Sequence, residues 1–229
     1  MKRLHIRVGT AIVAGILALG TFTTVVADGW VGIEPGSKPT EPRVKVLAEG
    51  TDHLTVECEL SGFLVKELTT PEGLFQRIRL GEGVLVSTAE VGHPALPTLV
   101  RTVRIPRGMR GEVSLLKVDW VDVGRWRVFP VQIPTRDDGS QPSSFAYSKQ
   151  AYAAPGPVPA RVAAVSTPQG WGGVPVSGLS VTPFRYHPDT GELEMAHRIT
   201  LRIDFHPADL PEIIEPHRAV PGLRRIQRV

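Results

Sequence analysis

The side chains of this chain that can do chemistry are scattered rather than grouped. One cysteine, Cys58, lies in Val56-Glu57-Cys58-Glu59-Leu60. There it alternates with charged neighbours and reads as a small hydrophobe on the buried face of a strand, not as a nucleophile. A single cysteine closes no internal disulfide, so packing alone must hold the fold. The sequence contains no Asn, hence no Asn-linked glycan acceptor and no His–Asn pair to assist a thiol. His53, His93, His187, His197, His206 and His217 stand at no familiar zinc spacing. Asp137-Asp138-Gly139 lacks the alternating acids and closing Glu of a calcium loop and reads as a polar turn. Ser140, Ser143 and Ser144 sit in no Gly-x-Ser-x-Gly elbow. No catalytic, metal or cofactor residue is assigned, and an independent hydrolase is disfavoured.

What remains is recognition, and the elements that would position it are strands. Short runs of β-branched and aromatic residues, bounded by Gly and Pro, predict strands over 43–47, 53–60, 74–80, 84–88, 99–105, 112–120, 125–131, 162–166, 174–183 and 193–205. With 21 Pro and 23 Gly, long helices would be broken repeatedly. The last strand gives the clearest pattern. Leu193, Met195, Ile199, Leu201, Ile203 and Phe205 share one face, while Glu192, Glu194, Arg198, Thr200, Arg202 and Asp204 share the other. Pro188-Asp189-Thr190-Gly191 is a turn leading into it. The expected fold is all-β, an antiparallel two-sheet β-sandwich spanning 43–206. The stretch 134–159 is too long and irregular for an ordinary connection, which marks it as functional or disordered.

The two ends read differently. Met1 to Arg7 is basic, Val8 to Phe22 is apolar or small without charge, and Val25-Val26-Ala27 offers small residues to a signal peptidase. Residues 1–27 are therefore read as a cleavable signal peptide, cut between Ala27 and Asp28. The run is shorter than the roughly 20 residues of a spanning helix, so no membrane attachment is expected after its removal. The 26 Lys+Arg include Lys2, Arg3 and Arg7; removing these three leaves 23, against 23 Asp+Glu. The basic balance is thus a property of the targeting segment, and no nucleic-acid partner is expected. Residues 28–42 read as an exposed Gly- and Pro-rich lead-in, and 207–229 as a Pro-rich linker or tail.

Two blocks carry more specific information. Val91-Gly-His-Pro-Ala-Leu-Pro-Thr-Leu-Val-Arg-Thr-Val-Arg-Ile-Pro106 has a Gly-x-Pro-x-Leu-Pro start leading into a strand that ends in Ile-Pro. Residues 181–205 hold a Pro-x-Arg-Tyr strand, a Pro-x-x-Gly turn and a long alternating strand. Together they resemble the amino-terminal propeptide of gingipain-type cysteine peptidases, over Val44 to Phe205. His93 stands where relatives usually carry Glu. The resemblance implies a secreted β-sandwich, extracellular, periplasmic or at the cell surface. Such a domain assists folding of a cysteine-type endopeptidase domain and blocks its active site until it is removed by proteolysis. The peptidase domain, with its His–Cys pair, is not within these residues, so the partner is expected in cis in a longer product or in trans. Family proteases that prefer Arg are inhibited by an Arg presented from the propeptide. Here Arg136 is the candidate inhibitory contact, with Arg125 and Arg127 as rivals.

A reading from another class is a cell-envelope module for adhesion or carbohydrate binding. Trp30, Trp120, Trp126, Trp171, Tyr147, Tyr152 and Tyr186 would then form a stacking platform, or equally be core residues.

Overall fold

The computed structural model describes residues 29–81, 89–134, 144–171 and 173–208. In chain order these form β1 (Gly29–Gly32), β2 (Arg43–Glu49), β3 (His53–Glu59), β4 (Gly62–Thr70), β5 (Gly73–Arg79), β6 (Leu99–Arg104), β7 (Met109–Arg125), the single helical turn α1 (Lys149–Tyr152), β8 (Ala163–Val165), β9 (Gln169–Trp171), β10 (Val174–Val181), β11 (Phe184–His187) and β12 (Glu192–Pro207). The chain is all-β and antiparallel, and its strands form three ladders around one core.

The alternation of β12 organises the largest ladder. Leu193, Met195, Ile199, Leu201 and Ile203 are fully buried, and β12 pairs with β11 and β3 along one edge and with β7 along the other. β2 closes the ladder against β3. On the opposite face Arg198 lies 3.1 Å from Glu59 and 3.6 Å from Glu57, while Arg202 meets Asp204 at 2.7 Å. The charged face is therefore half-buried by its own ion pairs rather than bare. A register shift at Ala196–Arg198 additionally buries Ala196. The turn before β12 forms, with Gly191 at a φ of 75° and its amide bonded to the His187 carbonyl at 2.7 Å.

A second ladder runs β6-β10-β8, with β9 also on β10. Leu99, Val103, Leu179 and Val181 from it join the core. The third ladder, β1-β4-β5, arises because the chain turns a corner at Leu60-Ser61 between β3 and β4, so that one continuous stretch feeds two sheets. Phe63, Val65 and Ile78 carry it into the same core.

Three features differ from expectation. The lead-in at 28–42 contributes β1, which pairs with β4 from Gly29 to Gly32, and Val31 and Ile33 pack on the core. A short apolar alternation is enough to extend a sheet edge even among Gly and Pro. The strands predicted at 112–120 and 125–131 are replaced by one 17-residue strand, β7, because its partner β12 is 16 residues long and pairs with it from end to end. Near the end of β7, Gly124 at a φ of 93° bends the chain, and 126–131 continues irregularly with single bridges at Val128 and Pro130. Residues 84–88 lie outside the described residues, as do 1–28 and 209–229 with the expected signal peptide, its cleavage site at Ala27 and Asp28, and most of the tail.

Candidate functional site

Residues 135–143 lie outside the described residues, but the stems on either side, 129–134 and 144–152, are both tied to the first of the two sequence blocks. The Gly92 amide donates to the Val131 carbonyl at 2.8 Å, the Val131 amide to the His93 carbonyl at 2.9 Å, and the Ala95 amide to the Phe129 carbonyl at 3.0 Å. From the other stem, the Ser148 amide donates to the Gly92 carbonyl at 3.0 Å. Gly92 is thus the keystone between Val131 and Ser148. Its φ is 86°, and a Cβ there would lie 3.2 Å from the Ser148 nitrogen, so only glycine fits without strain.

Side chains complete the brace. Phe75 of β5 is fully buried beneath rings from both stems, with centroids at 6.3 Å (Phe129), 5.8 Å (Phe145), 5.7 Å (Tyr147) and 6.0 Å (Tyr152). Edge-on pairs of this kind contribute about 0.5–1.5 kcal/mol each beyond area burial. The Arg127 guanidinium sits 4.1 Å from the Phe75 centroid and donates to the Glu72 carbonyl at 2.7 Å. Arg77 lies 4.3 Å from the Phe129 centroid. α1 is capped by Ser148, whose Oγ accepts from the Ala151 amide at 3.2 Å. Tyr152, at its end, donates its hydroxyl to the Val128 carbonyl. Burial raises the Tyr152 hydroxyl well above the usual phenol range and pushes the Tyr186 hydroxyl up to about 12, so both remain neutral donors. The result is a platform in which the two stems flanking 135–143 are braced against β5 and against each other.

Comparison with known proteins decides what kind of domain carries this platform. The family model Propeptide_C25 matches residues 35–212. The chain belongs to that family. Two solved structures share the fold of this C25 propeptide. One is from a study of zymogenic latency of gingipain K from Porphyromonas gingivalis, at 20% identity and a TM-score of 0.64, covering 79% of this chain and 100% of that one. The other is the complex of the pro- and mature domains of RgpB from the same organism, at 19% identity and a TM-score of 0.64, covering 71% and 83%. Among curated proteins there is no match.

The residues singled out from the sequence fall in different places on the propeptide. Arg136, Asp137, Asp138, Ser140 and Ser143 lie outside the described residues. Arg125 is exposed at the end of β7, 3.9 Å from Glu192. Arg127, the other rival, is half-buried, with its guanidinium over the Phe75 ring and donating to the Glu72 carbonyl. Cys58 is 1% exposed, and burial pushes its thiol up to about 11, which makes it inert. The histidines stay apart. His53 pairs with Asp52, His93 faces Glu90 at 3.7 Å, His197 bonds the Leu60 carbonyl, and His206 faces Glu112 at 3.7 Å. Among the described residues no three His, Cys, Asp or Glu side chains gather as a metal site would require, and no helix is long and apolar enough to cross a membrane.

The aromatic residues are mostly committed to packing. Trp126 and Tyr186 are in the core, Tyr147 and Tyr152 lie on Phe75, and Trp120 lies under Arg185 at 4.6 Å; Trp171, at 72% exposure, stands out on β9. Sequence reasoning missed Phe75, Phe129, Phe145 and Gln132 as parts of the platform. The usable signal was the density of Phe145, Tyr147 and Tyr152 within a stretch otherwise rich in Ser, Pro and Ala.

Proposed function

We propose that this chain carries the latency propeptide of a secreted gingipain-type cysteine endopeptidase, assisting the folding of the peptidase domain and blocking its cleft until proteolysis removes the block. The observation that carries this reading is the match to the C25 propeptide family over 35–212. The solved relatives supply the precedent: one comes from a study of zymogenic latency in gingipain K, and in the other the RgpB propeptide is in complex with its mature domain. For the present chain the same logic makes the partner a cysteine peptidase domain, in cis in a longer product or in trans.

The chemistry rests on the platform. A segment whose ends are already ordered loses less conformational freedom on docking than a free peptide. Arg136 belongs to the segment between the two stems, and a guanidinium can meet an acidic group in a specificity pocket through two parallel charge-assisted hydrogen bonds. Arg136 is the arginine that this reading assigns to the cleft, with Arg125 and Arg127 as rivals. Residues 1–27 serve as the export signal, and 207–229 serve as a linker or a tail. The purified chain should show no peptidase activity, inhibit a gingipain-type peptidase, and raise the refolding yield of a separately denatured peptidase domain. Absence of both effects would refute the reading.

A further inference from the structure

The ladder β1-β4-β5 has one face in the core and one face only partly covered. Val65 and Ile78, opposite one another, point inward with Phe63. On the other face Leu68 stands opposite Phe75, Lys66 opposite Arg77 and Leu64 opposite Arg79, with Trp30 of β1 beside Leu64. The platform rings close over Phe75 at one end of this face. The rest is open, and Lys66, Arg77 and Arg79 are exposed there. The Arg77 guanidinium is laid against Phe129, 4.3 Å from the ring centroid, and Arg127 lies on Phe75 at the covered end. Guanidinium groups stacked on rings keep their N–H edges available for an anion.

Lys66, Arg77 and Arg79 are a poor arrangement for the free domain. Residues directly opposite across an antiparallel pair have Cβ atoms about 4.5–5.5 Å apart, and like charges there are destabilising. Among the described residues none of these cations forms an ion pair, whereas Lys45, Arg185, Arg198 and Arg202 each face a carboxylate. Burial, and then the Arg79 charge, hold the Arg77 guanidinium below its ordinary range. Beyond residue 27 basic and acidic residues are equal in number, so the patch is a local excess and not a reflection of overall charge. Half-buried Trp30, Leu64 and Leu68 lie among the cations. Aromatic and Arg side chains on an apolar ground mark a protein interface rather than a track for a polyanionic chain.

We propose that the open face of the β1-β4-β5 ladder, centred on Lys66, Arg77 and Arg79, is a docking surface for a carboxylate-rich patch on the cysteine peptidase domain. The proposal rests on the latency reading above and adds the surface by which the two domains find each other. An acidic partner surface relieves the repulsion among the cations. It also speeds encounter, because complementary charge acts mainly on the association rate.

The test uses the full chain and a gingipain-type cysteine peptidase, following the rate at which inhibition sets in. The double variant Lys66→Glu, Arg79→Glu is compared with wild type and with Arg104→Glu, Arg110→Glu, which makes the same change of net charge at exposed positions on β6 and β7. At low salt the Lys66 and Arg79 variant should associate roughly tenfold or more slower than wild type, and the Arg104 and Arg110 variant within about twofold of it. The gap should close at about 1 M salt, where charges are screened beyond about 3 Å. The melting temperature of the Lys66 and Arg79 variant should equal or exceed that of wild type, since Lys66→Glu puts a carboxylate opposite Arg77. That readout separates lost docking from damage to the fold. Equal rates for the two double variants, or a gap that salt does not close, would overturn the docking face. Binding of wild type to vesicles of pure phosphatidylglycerol, lost in the Lys66 and Arg79 variant while inhibition is unchanged, would overturn it too and make the face a membrane surface. A wild-type chain that never inhibits would instead overturn the latency reading, and the docking face would fall with it.

Discussion

Replacing Gly92 with alanine tests the keystone of the platform by adding a single methyl group. At a φ of 86° an L-residue costs about 1–2 kcal/mol. The new Cβ would also stand 3.2 Å from the Ser148 nitrogen, and that nitrogen donates to the Gly92 carbonyl at 3.0 Å. Displacing the donor puts a further ~0.5–1.5 kcal/mol at risk. Reduced freedom of the unfolded chain returns about 0.4–1 kcal/mol. The net expectation is a destabilisation of about 0.5–3 kcal/mol. Gly108 provides the control, since its φ of 73° carries the same conformational cost but an added Cβ would meet nothing within 4 Å. Gly108→Ala should therefore cost about 0–1.6 kcal/mol, less than Gly92→Ala by the value of the threatened hydrogen bond. Urea unfolding measures both, with the slope unchanged and only the midpoint moved. Faster amide exchange at Val131 and Ser148 in Gly92→Ala would place the damage at the stems. Equal midpoints for the two variants would refute the keystone argument.

Ile203→Asp should lose several kcal/mol, because Ile203 is 0% exposed and an unpaired carboxylate there would be buried, whereas Arg202→Asp on the opposite face should be far milder; thermal melts compare them directly. Arg185 holds the Glu194 carboxyl below the usual range through hydrogen bonds of 2.6 and 2.8 Å. A depressed folded-state pKa gives stability that is present above the unfolded-state value and lost as pH falls through the folded one. Glu194→Gln should thus be less stable than wild type at neutral pH, with the difference vanishing in acid; a difference independent of pH would contradict this. Amino-terminal sequencing of exported protein should begin at Asp28, and Met1 in the mature material would remove the export signal from the account.

The sequence made legible what depends on local alternation and turn chemistry. The two faces of β12, the 188–191 turn and the burial of Cys58 all come from the order of residues along one strand. The block beginning at Val91 marked the right place, but not the reason, which is that Gly92 sits between two stems that are distant in sequence. The platform itself was hidden because its parts meet only in three dimensions. Nothing near Phe75 announces that rings at 129, 145, 147 and 152 will close over it. Likewise no local pattern tells a guanidinium free in solvent from Arg127 lying on a ring. The length of β7 was set by its partner, so its own apolar pattern understated it.

The most direct test of the latency account is the inhibition of a gingipain-type peptidase by the wild-type chain and by Arg136→Ala. The account predicts that the wild type inhibits and that the variant loses about 2–5 kcal/mol of binding, the usual effect of truncating one side of a buried charged pair. The melting temperature should not change. Equal inhibition by the two chains would take Arg136 out of the cleft, and no inhibition by either would contradict latency as the function of this domain.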